Sequence, residues 1–98
     1  MDLSSDLRDA LARQIGPVLW RDLRAHAKRQ GLFVVAAEVA LLDAAHAIAS
    51  DDTSRVEAWI AAGQLYRPDL TQLEAWDADL DKPFTSVVVQ PFALAQEG

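Results

Sequence analysis

The stretch from Leu32 to Ala49 is eighteen residues long and carries only three polar side chains, Glu38, Asp43 and His46. Nothing else constrains the fold as much, because that much contiguous apolar surface must be buried in lipid or in the chain's own core. A bilayer crossing would place carboxylates near its centre at a cost of about 3 kcal/mol each. The pattern also changes partway along. Leu32-Phe33-Val34-Val35 is short, β-branched and aromatic and follows Gly31, as a buried strand does. From about Ala37 to Ser50, the apolar residues Leu41, Leu42, Ala45, Ile48 and Ala49 recur with helical period. The run reads as a strand and a helix in a protein core, with no membrane span.

The flanking segments complete the pattern. Ser4 and Ser5 are placed to cap a first helix, with Leu7, Leu11 and Ile15 on one stripe. Gly16-Pro17 interrupts it, and Pro17 suits the first position of a second helix over 17–30. That helix would bury Leu19, Trp20, Leu23 and Ala27 and end at a left-handed Gly31. Ser54-x-x-Glu57 and Thr71-x-x-Glu74 have capping-box spacing for two later helices. The first would face inward with Val56, Trp59 and Ile60 and stop at Gly63, and the second with Leu73, Trp76 and Leu80. Gln64–Arg67 reads as a short strand. Phe84–Gln90 is the strongest strand, with Pro91 bending its far end and Phe92-Ala93-Leu94 continuing extended. The expected order is α-α-β-α-α-β-α-β, an α+β domain spanning residues 1–98. About five helices would pack on one face of a small sheet of about three strands.

A chain of 98 residues buries roughly 60–65% of its unfolded surface. Its apolar fraction of 51% includes eighteen alanines, which bury little area. A homodimer would add to so small a core, and self-association or a protein partner is therefore expected. Cysteine is absent, which excludes disulfides, thiolate metal sites and cysteine nucleophiles. The acidic N-terminus lacks the apolar segment of a signal peptide, and a cytoplasmic location is expected. Net charge is −6, unevenly spread. Residues 1–31 hold six basic and four acidic side chains; residues 32–98 hold three basic and eleven acidic. The acidic majority repels phosphate backbones and disfavours nucleic acid as a partner.

Each candidate site has an ordinary alternative. Asp77-x-Asp79-x-Asp81 opens like a calcium loop, but Lys82 stands where the turn needs glycine and Val88 where it needs a bidentate glutamate. Asp43, His46 and Ser50 supply triad residue types on one helix, without a nucleophile elbow. His26 and His46 lie on different helices and lack paired-ligand spacing, so no metal or other cofactor is expected. Arg21, Arg24, Lys28 and Arg29 form a basic stripe suited to an interaction surface, more readily with the acidic remainder of the chain or a second copy than with phosphates. If the chain holds a small ligand, the dispersed polar residues Asp43, His46, Asp51, Asp52 and Gln90 are the candidates. No catalytic set stands out.

Several runs together resemble a known family. They are Leu41-Leu42-Asp43, Ala47-Ile48-Ala49-Ser50-Asp51-Asp52, Val56 with Trp59-Ile60, Lys82-Pro83-Phe84, and Val89-Gln90-Pro91-Phe92-Ala93-Leu94-Ala95-Gln96. With Trp20, Leu23 and His26-Ala27 upstream, they are similar to the small bacterial family catalogued as domain of unknown function 2288. The C-terminal run is the most specific. Ala36-Ala37 departs from the polar cap or proline usual in the family before the third helix. The resemblance implies a bacterial protein and no established activity. Small size, absent catalytic signatures and a charge asymmetry suited to self-association lead to the expectation of a non-enzymatic interaction or regulatory domain. A small-ligand binder or enzyme with an unmarked pocket is the alternative.

Overall fold

Alternation along the two most hydrophobic strands decides the architecture. In β2 (Leu32–Val35), Leu32 and Val34 point to one side of the sheet and Phe33 and Val35 to the other, all packed against apolar neighbours. A strand buried on both faces requires layers on both faces. The computed structural model describes residues 3–98, with side chains from residue 6 onward. In it, helices cover each side of the sheet. The expected capping by Ser4 and Ser5 lies outside the described side chains.

One layer holds α1 (Leu3–Gln14), α3 (Leu41–Ala49) and α4 (Thr53–Ala61), packed over Val35, Val87, Val89 and Leu94. The other holds α2 (Trp20–Lys28) and α5 (Leu70–Asp77), packed over Leu32, Val34, Phe84, Ala93 and Ala95. Between them, β1 (Gly16–Leu19), β2, β3 (Leu65–Tyr66), β4 (Pro83–Val89) and β5 (Phe92–Glu97) form one sheet in the order β1-β4-β5-β2-β3. The β2–β5 pair is parallel and the others antiparallel. The fold is α+β with five helices, as expected, but the sheet has five strands where about three were expected, and helices lie on both its faces.

The two additional strands have physical explanations. Gly16-Pro17-Val18-Leu19, expected to open a helix, pairs with β4 as an edge strand. Proline is tolerated there because an edge does not require its missing N–H. Helix α2 therefore starts at Trp20, and Leu19 is partly exposed rather than core. Its N-cap residue, Leu19, makes no side-chain capping bond. Instead the N–H groups of Trp20 and Arg21 donate to the carbonyls of Lys82 and Leu80, at 2.9 and 3.1 Å, and Asp22 accepts from Leu19 N–H. The extended residues after Pro91 form a full central strand, joined to β4 by a two-residue turn with a cis Gln90–Pro91 peptide.

Three helices end on the same device. Gln30, Asp51 and Gly63 adopt φ of 59°, 60° and 72°, each followed by an N–H that reaches back to the last turn. Gly31 N–H donates to His26, Asp52 N–H to Ala47 and Gln64 N–H to Trp59, all at 2.8 Å. The left-handed residue after α2 is thus Gln30, not Gly31. A Cβ at Gly31 would lie 3.4 Å from the Pro91 carbonyl oxygen, an ordinary van der Waals contact, so neither the turn nor the packing requires glycine there.

The caps of α4 and α5 lie two residues before the expected ones. Asp52 accepts from Arg55 N–H, and Asp69 and Gln72 form a reciprocal capping box. Asp69→Ala is expected to cost about 1 kcal/mol by urea denaturation, whereas Thr71→Ala should leave stability within about 0.5 kcal/mol. Equal effects would contradict this assignment.

Candidate functional site

An apolar cleft opens where α3 hands over to α4. Its open volume is about 340 Å³, at the low end of the roughly 300–1,000 Å³ usual for ligand pockets. The floor is Phe33 of β2 and Phe92 of β5, brought together because the strands are adjacent, with ring centroids 5.3 Å apart and edge to face. Ile48 and Leu65 line its side. Helix α4 forms the far wall with Thr53, Val56, Glu57 and Ile60, at i, i+3, i+4 and i+7 on one helical face. No residue of α4 is fully buried, and Ile60 is 51% exposed. The apolar face expected of this helix is thus divided. Val56 and Trp59 pack toward the core, while Ile60 stands on the cleft rim.

The mouth is acidic. Asp51, left-handed at the end of α3, and Asp52, the cap of α4, stand beside Glu57. The structure therefore brings together two of the five candidate ligand residues. Asp43 instead pairs with Arg8 of α1. His46 is half-buried along α3, and Gln90 is exposed in the turn before Phe92; neither lines the cleft. The residues missed by sequence reasoning are Phe33, Phe92, Glu57 and the rim position of Ile60. The stripe of mixed polarity at 53, 56, 57 and 60 was the available signal, since a purely core-facing stripe would not include Glu57.

The remaining candidates are engaged elsewhere. Ser50 Oγ donates to the His46 main-chain carbonyl at 2.6 Å, and Asp43 is held by Arg8, so the three triad residue types do not form a relay. Asp77 accepts from Trp20 Nε1 at 2.7 Å and lies 3.0 Å from Arg24 Nε, while Arg21 pairs with Asp81. Half of the basic stripe thus meets the acidic end of the same chain, leaving Lys28 and Arg29 exposed. The hydrogen bond and charge of Asp81 raise the Arg21 guanidinium above its ordinary value. Among the described residues, no group of three or more histidine, aspartate or glutamate side chains is placed to hold a metal ion. No described helix is long and apolar enough to cross a membrane.

A mixed five-stranded sheet between two helical layers, with an acid-rimmed apolar cleft at one end, defines the structural class. The chain belongs to DUF2288, a family described as protein of unknown function, whose sequence pattern matches residues 6–97. Its fold is similar to the solution NMR structure of PA1075 from Pseudomonas aeruginosa, at 29% sequence identity and a TM-score of 0.79. That likeness covers 89% of this chain and 80% of the other. No curated protein matches.

Proposed function

We propose that this chain is a non-enzymatic, cytoplasmic bacterial interaction domain that captures an apolar anchor of a partner protein in the cleft between α3 and α4. The observation that carries this reading is the open apolar recess of about 340 Å³, bordered by a half-exposed Ile60. Apolar surface left uncovered beside a polar rim is characteristic of binding grooves. The sheet edges favour a groove over strand addition. Edge strand β1 carries Pro17, and edge strand β3 has two residues, both features that blunt edge pairing. A homodimer, the other expectation for so small a core, would for the same reason form through helix faces, and sedimentation velocity distinguishes it from a monomer.

Nile red, a neutral apolar dye, tests the cleft directly. Its emission should rise and shift to the blue with the wild-type protein, and the response should be lost in Ile60→Asp. Because Ile60 is half-exposed, that substitution should change stability by less than about 1 kcal/mol. A dye response equal in both proteins, or absent from both, would remove the basis for this reading. A metabolite that co-purifies and occupies the cleft would establish the small-ligand alternative instead.

A further inference from the structure

We infer that the segment taken by the cleft is basic: an apolar anchor flanked by lysine or arginine. This deepens the proposed function and rests on it. Three carboxylates surround the mouth, and among the described residues Asp51, Asp52 and Glu57 are in no ion pair. Four acids elsewhere on the surface have a cation of the same chain beside them. Asp43 has Arg8, Asp77 has Arg24, Asp81 has Arg21 and Glu97 has Lys82. Arg55, although on α4, lies over Trp59, a ring outside the cleft lining. Arg67 lies over Phe33 of the floor, 5.2 Å from its centroid. The account at the mouth is therefore three carboxylates against one guanidinium.

The setting strengthens that charge. Carboxylates beside low-dielectric apolar walls focus their field into the recess instead of having it screened on all sides. An apolar segment with acidic neighbours would be repelled as it entered, and one with basic neighbours would be drawn in and held at the rim. The floor therefore selects the apolar anchor and the mouth selects its flanking charge. Glu57 and Ile60 lie within one turn of α4, so a single short segment reaches both.

The test uses two short, terminally capped peptides with identical leucine positions, one on a lysine background and one on a glutamate background. They are titrated by fluorescence anisotropy at low salt against the full chain. The lysine peptide should bind at least about tenfold more tightly. The double variant Asp51→Asn with Glu57→Gln should erase most of that difference while retaining the Nile red response. Asparagine tolerates the left-handed conformation at 51, so the fold is preserved. Equal affinity for both peptides, or a preference unchanged in the double variant, overturns the basic-segment inference while dye binding still supports the cleft. Loss of dye binding in the wild-type protein defeats both. If n-hexylamine alone binds as tightly as the lysine peptide, the occupant is a small organic cation and the peptide inference fails.

Discussion

Trp20→Ala is expected to lower the unfolding free energy by about 3–5 kcal/mol, as large aromatic deletions in cores do. Against a total of roughly 5–15 kcal/mol for a domain of this size, that is enough to unfold a sizeable part of the population. Trp20 is 1% exposed and sits at the centre of the smaller core. Its ring lies 5.0 Å from Trp76 and 5.9 Å from Phe84, and Trp76 meets Phe84 edge to face at 5.1 Å. Removing it leaves a void among three elements, α2, α5 and β4. It also removes the indole N–H bonded to Asp77. Trp20→Phe separates the two effects. It keeps a ring but loses the donor, and about 1–2 kcal/mol should be lost beyond the smaller packing change. Urea denaturation followed by circular dichroism measures both. An alanine variant within about 1 kcal/mol of the wild type would show that α2 and α5 do not depend on this aromatic cluster.

The second large effect is expected at Gln96, in the C-terminal run that most marks the family. Its side-chain amide donates to the carbonyls of Ala36 and Val39, at 2.8 and 2.7 Å. Those carbonyls belong to the turn between β2 and α3. The N-cap of α3, Ala40, makes no side-chain capping bond, so Gln96 holds the entry to this helix from across the sheet. Gln96→Met keeps the length of the side chain without the donors. It should cost about 2 kcal/mol, roughly 1 for each bond lost. Gln96→Glu should cost more, because its charge faces two carbonyl oxygens. Hydrogen exchange at residues 39–44 should accelerate in both variants. Unchanged exchange there would show that the turn holds itself.

This contact also explains why the third helix is shorter than its pattern. Periodicity suggested a start near Ala37, whereas α3 begins at Leu41. Alanine at 36, 37 and 40 is compatible with either conformation, and a glutamine some 60 positions away decides between them. The same cause accounts for the missed strand β1. Pro17 suits both the start of a helix and a sheet edge, and the decision falls to pairing with residues 83–86. In β5, Ala93 and Ala95 have weak strand preference and are fully buried under α2 and its neighbours. Elements with their own period or β-branched content were legible: Leu32–Val35, Val87 to Val89, and the inward residues of α1 and α5. On α3, Leu41 and Ala45 are buried as expected, but Ala49 is exposed and Ala44 and Ala47 are buried instead. The caps were legible in kind but displaced by two residues, because aspartates at 52 and 69 outcompeted the serine and threonine that follow. At the cleft, local chemistry drew attention to Asp51 and Asp52, but Phe33 and Phe92 meet only through the parallel pairing of distant strands.

That parallel pairing governs when the molecule can assemble. Strand β5 separates β4 from β2, so the sheet hydrogen bonds of β1 and β4 on one side and of β2 and β3 on the other are joined only through residues 92–97. During synthesis, β1 to β4 are all made before the strand that joins the two halves of the sheet. Until then Leu32 and Val34 on one face, and Val35 on the other, lack their central neighbour. Contacts spanning so much sequence form slowly, and apolar surface exposed in the interval is open to aggregation. Residues 92–97 complete both layers together, because Leu94 packs into the core under α1 and α3 while Ala93 and Ala95 pack into the core under α2 and α5.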